Sequence, residues 1–489
     1  MTPPQLRRFA AALAASAVLA AGCAANPATG RQDFTPLMTP AQEAAAGREQ
    51  HPKLLAAFGG VYQERPALNR YVSEIGRRLQ RSSEMPEPPF TFTIVNSDEV
   101  NAFALPGGYV YATRGLMALA NSEAELAGVI AHEIGHVTGR HTAQRQTRGV
   151  LAGLGAAIVG AATGDPMIGR LANLTAAAYV QRFSREQELE ADELGVRYLG
   201  RSGYDPRAMV SFLAAMEAES ALARTIAGRE GRDPAASLFS SHPRTARRIA
   251  EAAETARAAQ ASGLRNGRDE YLRRLDGTLY GDDPEQGIRR GRLFAHQKLR
   301  FRFEVPPGFG MRNSPEAVLA THASGAAIRF DSARLERDTT MTRYLANVWL
   351  DGVPLEGVER ITVNGMEAAT GSARVGTRQG PRDVRGIAIR FDRDTVYRFL
   401  VVTPPRFTAS LSEGLRRMTY SFRALGPAEA AAIRPLRIRI HAVAPGETPE
   451  SLAATLPFED FRIERFRVLN GLRPGEALRP GQLVKLIVG

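Results

Sequence analysis

Apolar positions in this chain change their period along its length, and those changes mark out the elements. From Pro40 to Arg81 they recur at helical spacing, with Leu54, Leu55 and Phe58 followed by Tyr71, Ile75 and Leu79. Phe90 to Val95 alternates as a strand, and Ala104 to Thr113 follows as another, interrupted by Pro106-Gly107-Gly108. Helical spacing returns at Asn121–His141, where Ser122 and Glu125 form a capping box ahead of Leu126, Val129 and Ile130. Val150–Gly164 is apolar throughout but shorter than the ~20 residues that span a bilayer, and reads as a packed helix hairpin. An acidic helix covers 183–200, an amphipathic one 203–225, and Ser241-His242-Pro243 opens a long Arg/Ala/Glu helix to Ser262.

Past Gly281-Asp-Asp-Pro284 the period changes to two. Phe301–Val305, Ile328–Phe330, Ile387–Phe391 and Tyr397–Val401 read as strands, and Asn364-Gly365 between two short β runs is a hairpin turn. Helices at 339–350 and 407–419 make this stretch α+β. The whole chain is therefore expected to be α+β, mainly helical before about residue 290 and richer in sheet after it.

Composition changes this picture little. A hydrophobic content of 44% suits ordinary globular domains, and 489 residues allow about three of them. The net charge of +12 comes from 60 Arg and 3 Lys spread without a dominant block, so no nucleic-acid partner is expected. The first 23 residues are more telling. Arg7 and Arg8 precede a short apolar run that ends in Leu19-Ala-Ala-Gly22-Cys23 and resembles a bacterial lipobox. Cys23 is the sole cysteine, which excludes an intramolecular disulfide and points to lipid attachment.

The candidate chemistry lies in His132-Glu133-Ile134-Gly135-His136. Residues four apart share a helix face, so both imidazoles can aim at one metal ion, and Glu133 is placed to act as a base toward water. A catalytic zinc usually takes three protein ligands. Gly139 suits the metzincin extension, but that pattern needs a histidine at 142, which is Thr142. His141 misses by one and, on a continuous helix, points away from the metal. Glu188 and Asp192 share a face of the acidic helix, so Glu188 is the expected third ligand and Asp192 a support for one histidine. Glu186, Glu190 and Glu193 lie on other faces and read as solvated charges.

Four motifs then carry a resemblance. Asn-Ala-Phe-Ala-Leu-Pro-Gly-Gly (101–108), His-Glu-Ile-Gly-His, Ser-Arg-Glu-Gln-Glu-Leu-Glu-Ala-Asp (184–192) and Ser-His-Pro (241–243) are similar to the HtpX-like zinc metallopeptidases. That family is of the gluzincin type and includes the CAAX prenyl endopeptidases. The resemblance covers residues 35–290. It implies one Zn2+ per chain on His132, His136 and Glu188, with Glu133 as base. It also implies an active-site edge strand contributing Asn101, Ala102, Phe103 and Ala104, and His242 and Arg248 facing the site. His242 is left with two roles, oxyanion stabiliser or zinc cap.

Residues 436–489, with Val443–Thr448, Leu469–Leu472 and Arg479–Gln482, resemble a LysM module, a small βααβ fold that implies peptidoglycan as a partner. Glu447 and Pro449 depart from its pattern. The expected organisation is a lipoprotein signal (1–23), a tether (24–40), a gluzincin-type metallopeptidase domain with a small sheet (41–290), an α+β accessory module (292–425) and the LysM-like module (436–489). The function expected is a zinc endopeptidase of unfolded or misassembled envelope proteins, lipid-anchored on the periplasmic side, at the outer membrane. A low-activity chaperone or scaffold and a cell-wall amidase are the alternatives.

Overall fold

The computed structural model describes residues 23–489 except 31, 35–37, 88–89, 146, 148–182, 230–245, 259–263, 336–338 and 378–379. Residues 1–22 of the expected signal (1–23), the apolar stretch Val150–Gly164 and Ser241-His242-Pro243 thus lie outside the described residues. After the short pair β1 (Cys23–Ala25) and β2 (Gln32–Phe34) come helices α1 (Pro40–Ala57) and α2 (Pro66–Arg81). Proline stands in the first turn of each, where its missing N–H costs no hydrogen bond.

A three-stranded sheet follows, built from β3 (Thr91–Val95), β4 (Ala102–Leu105) and β5 (Tyr109–Thr113) in the order β3-β5-β4. The single interrupted strand expected over 104–113 is instead two, folded back at Pro106-Gly107-Gly108. Gly107 and Gly108 take φ of 82° and 85°, the left-handed region that favours glycine. A Cβ at Gly107 would also lie 2.9 Å from Ala44 Cα on α1, so the turn needs a bare backbone twice over.

Helix α3 (Arg114–Leu119) leads to α4 (Glu123–Thr138), which carries both candidate histidines. Every residue of α4 except Val137 is buried, because α2, β4, β5 and three later helices pack around it. Those helices are α5 (Arg185–Arg201), α6 (Arg207–Arg229) and α8 (Arg268–Leu275); α7 (Ala246–Ala258) packs outside them on α5 and α6.

Strand β6 (Leu279–Tyr280) closes this unit, and the next begins with β7 (Ile288–Arg290), β8 (Leu293–His296) and β9 (Phe301–Glu304). Strands β10 (Gly310–Asn313), β11 (Val318–Thr321) and β12 (Ala327–Arg334) follow, then α9 (Met341–Tyr344) continuing as a π-helical turn, Leu345–Trp349. Strands β13 (Glu356–Val363), β14 (Met366–Thr377), β15 (Gly380–Arg390) and β16 (Thr395–Thr403), helix α10 (Pro405–Ser421) and strand β17 (Arg423–Ala424) complete it. A seven-stranded antiparallel sheet runs β10-β11-β12-β16-β15-β14-β13, beside a smaller one of order β17-β9-β8-β7. An aromatic core of Phe294, Phe301, Phe303, Phe330, Phe399 and Phe422 joins the smaller sheet and α10 to one face of the larger. Helix α9 and its π turn cover the other face through Leu345, Ala369 and Ala388.

Helix α11 (Pro427–Ala432) leads into β18 (Leu436–Ala442), α12 (Pro449–Ala453), α13 (Arg462–Asn470) and β19 (Leu483–Val488). This C-terminal segment does not hang free. Strand β18 pairs with β6 as well as β19, and Ile438, Leu452, Phe466, Val484 and Ile487 share one continuous core with Leu116, Leu126 and Leu272. Lys485, fully buried, donates to the carbonyls of Ala118 (2.6 Å), Leu119 (3.3 Å) and Ala120 (2.9 Å), immediately ahead of α4. Among the described residues no helix is long and apolar enough to cross a membrane.

Candidate metal centre

Helix α4 begins as its sequence directs. Ser122 Oγ accepts from Glu125 N (3.1 Å), while the Glu125 carboxylate accepts from Asn121 N (2.7 Å), one residue before the partner a strict capping box would use. Glu123, also buried, accepts from Tyr71, Tyr204 and Arg265. The first turn is thereby fixed in a core where an unpaired carboxylate would be costly. Three turns later His132 and His136 point the same way, with their Nε2 atoms 3.0 Å apart.

Helix α5 supplies the third donor. Its start is set by a full capping box, Ser184 with Gln187, which places Glu188 in the first turn. Glu188 Oε1 lies 3.5 Å from His136 Nε2 and Oε2 lies 3.7 Å from His132 Nε2. Zinc held at about 2.05 Å by tetrahedral ligands needs donor separations of roughly 3.3 Å, so this cluster has the right span. The donor chemistry agrees, since two neutral imidazoles and a carboxylate suit zinc and leave a fourth position for substrate or water. Glu133, Glu188 and Asp192 are also buried here, and all three attract the guanidinium of Arg248.

Asp192, one turn beyond Glu188, has Oδ1 2.8 Å from His132 Nδ1. Arg248, from α7, grips it with two bonds, Nε to Oδ2 at 2.7 Å and Nη2 to Oδ1 at 2.8 Å. Its remaining Nη1 reaches Glu188 Oε2 at 2.5 Å. One side chain thus ties the candidate ligand to the carboxylate that supports another. Burial pushes the Asp192 carboxyl up, but the hydrogen bonds from Arg248 and His132 more than reverse this and hold it at about 2. Arg248 is raised in turn: burial works against its charge, and Asp192, Glu188 and Glu133 outweigh it.

The structure brings together His132, Glu133, His136, Glu188, Asp192 and Arg248, while His242 lies outside the described residues. Arg248 was expected to face the site; its nitrogens are directed at the two carboxylates. Asn101 immediately precedes β4, and Ala102 to Ala104 form its start, at an edge of its sheet packed on α4. The Asn101 carbonyl accepts from Thr113 N and Asn101 N donates to Thr113 Oγ1, while Asn101 Oδ1 is buried without a hydrogen-bond partner among the described residues. Cys23 begins β1, opposite Phe34.

Two residues behave otherwise than their spacing suggests. Glu190, read as a solvated charge, is only 21% exposed and lies 3.9 Å from His141. His141 itself is fully buried, with Nδ1 2.8 Å from His136 Nδ1. The assumption that failed is a continuous helix, because α4 stops at Thr138 and Arg140 takes a left-handed φ of 51°. That conformation costs about 1–2 kcal/mol for a residue with a Cβ. Two bonds to Glu43 and one to the Met38 carbonyl hold Arg140 there.

Residues 66–256 match the model of peptidase family M48. The chain is 33% identical over 216 residues to the beta-barrel assembly-enhancing protease of Escherichia coli strain K12, covering 42% of this chain and 42% of that protein. It is 39% identical over 115 residues to the mitochondrial metalloendopeptidase OMA1 of Arabidopsis thaliana, 23% of each. It is also 30% identical over 165 residues to the metalloprotease LoiP of Escherichia coli, 33% of this chain and 60% of that one. The chain spans 34% to 42% of the length of the beta-barrel assembly-enhancing proteases it matches. The segment that gathers the two histidines, Glu133, Glu188, Asp192 and Arg248 into one buried cluster is thus the segment similar to peptidase family M48.

Proposed function

We propose that the chain is a zinc-dependent endopeptidase of the bacterial cell envelope that cleaves unfolded or misassembled envelope proteins. One observation carries this reading: a buried His132–His136–Glu188 donor set, with Glu133 directly after the first histidine, inside the M48-like segment. Zinc held by those three residues would supply a Lewis acid that polarises the scissile carbonyl and lowers the pKa of water. Glu133 takes the proton from the attacking water and passes it to the leaving amine nitrogen. Asp192 holds the His132 ring by its Nδ1, and Arg248 holds Asp192 and Glu188 in register, so it acts as a positioning residue rather than on substrate. The outer edge of β4, unpaired among the described residues, offers main-chain groups of Ala102 to Ala104 to an extended peptide, which favours polypeptide over a cell-wall amide.

The envelope setting draws support from the relatives' names and from the leader that ends at Cys23. In this reading Cys23 carries the lipid anchor, on the periplasmic face of the outer membrane. Residues 436–489 form a LysM-like module with peptidoglycan as its candidate ligand.

The test is digestion of casein and of an unfolded outer-membrane β-barrel protein by the wild type and Glu133→Gln, with zinc measured in both. Glu133→Gln is expected to keep one zinc per chain and lose cleavage by at least about 100-fold. Cleavage at the wild-type rate would instead favour the scaffold reading. For the anchor, Cys23→Ser is expected to abolish labelling by a palmitate analogue and release the protein from membranes; unchanged labelling removes the idea.

A further inference from the structure

Metal-binding histidines commonly donate their second ring N–H to a fixed acceptor, which sets the tautomer and the aim of the ring. For His132 that acceptor is Asp192. For His136 the atom in place is Nδ1 of His141, 2.8 Å away. We propose that His141 is a positioning residue for His136: its unprotonated Nδ1 accepts the His136 Nδ1–H and so presents His136 Nε2 to the metal. This rests on the reading of His136 as a zinc ligand.

Independent features of the chain converge on this one contact. Arg140 adopts a left-handed backbone that ends α4 and turns the chain back, and Glu43 and the Met38 carbonyl secure it. Gly139 has an ordinary φ of −75°, so its backbone gives no reason for glycine. Space does: a Cβ there would sit 2.5 Å from His141 Nε2 and 3.0 Å from its Cδ2. Phe183 stacks on the His136 ring at 4.0 Å and 21°, limiting its rotation from the other side. Two ring nitrogens at 2.8 Å form a hydrogen bond only if one carries the proton and the other does not. With His136 Nε2 committed to the metal, its proton is on Nδ1, so His141 accepts and its own proton sits on Nε2, toward Glu190.

The test compares zinc affinity, by equilibrium competition with a chromophoric chelator, in the full chain and three variants. His141→Phe keeps a ring but no acceptor. His141→Asn restores an acceptor oxygen close to the place of Nδ1. Gly139→Ala leaves every polar group in place but takes the space the His141 ring occupies. Zinc affinity is expected to fall 10–100-fold in His141→Phe and Gly139→Ala and to recover most of the way in His141→Asn. The visible bands of the cobalt-substituted protein should shift in the first two and not in the third. Wild-type affinity in a folded His141→Phe overturns the proposal, as does equal loss in Phe and Asn variants, which would assign the effect to packing. Should His141→Phe not fold, Gly139→Ala decides, with unchanged affinity and spectrum counting against the proposal. A wild-type chain that binds no zinc is a different failure, that of the metal-centre reading itself.

Discussion

Arg248 illustrates how much one side chain can decide at the centre. Its planar guanidinium meets two carboxylates at once, Asp192 through Nε and Nη2 and Glu188 through Nη1. A lysine ammonium cannot reproduce that fork. Arg248→Lys is therefore expected to lower zinc affinity by about 10–100-fold while the fold persists, since one positive charge still offsets the buried carboxylates. Chelator competition and circular dichroism on the purified variant check both halves, and unchanged affinity would show that the bridge is incidental. The two histidines and Glu133 were legible from spacing alone, because a helix repeats itself every turn. The bond between His136 and His141 was not, because it depends on one left-handed residue whose anchors are Met38 and Glu43, about a hundred positions earlier.

At the scale of elements, the centre depends on how closely α4 and α5 approach. Two glycines permit it. A Cβ on Gly135 would meet Ala191 backbone atoms at 3.1 and 3.2 Å, and one on Gly195 would lie 3.2 Å from His132 N. Gly195→Val should force the helices apart beside His132, with about 1–3 kcal/mol lost to overpacking and weaker zinc binding. A Cβ added at Gly200, on the same helix, would meet no packing neighbour among the described residues closer than 3.8 Å, so Gly200→Ala should stabilise the protein slightly, by about 0.4–1 kcal/mol. Urea unfolding of both variants makes the comparison, and similar behaviour of the two would deny Gly195 its role. Some elements needed no structure to be found. Asn364-Gly365 turns β13 into β14 with φ of 47° and 84°, the double positive pair of a tight hairpin that this dipeptide prefers. The fold-back between β4 and β5 escaped pattern reading because apolar residues continue on both sides of Pro106.

For the whole molecule, the C-terminal segment matters more than a tethered module would. Its strand β18 extends a sheet with β6, its apolar residues complete the core around α4, and Lys485 caps the last carbonyls before Asn121. Removing residues 436–489 would expose that core, including the faces that Ile438, Phe466 and Ile487 cover. Such a truncation is expected to abolish cooperative unfolding and zinc retention together. Calorimetry and metal analysis test this, and a truncated chain that melts and binds zinc like the full one would show the two parts to be independent. Composition could not reveal this dependence, because a shared core and two separate cores draw on the same apolar residues.

The sequence by itself determined what is local: the helix that carries His132 and His136, the capped helix that carries Glu188 and Asp192, and the two-residue turn at Asn364-Gly365. Each follows from side-chain period, capping chemistry or a dipeptide's backbone preference, all set within a few residues. Tertiary structure decided what is distant. It brought α5 to α4 across glycines, set Arg248 between two carboxylates, turned His141 back onto His136 and seated Lys485 ahead of the metal-centre helix. Those contacts join residues tens to hundreds of positions apart, where the packing of the core, rather than any repeat along the chain, selects the partner.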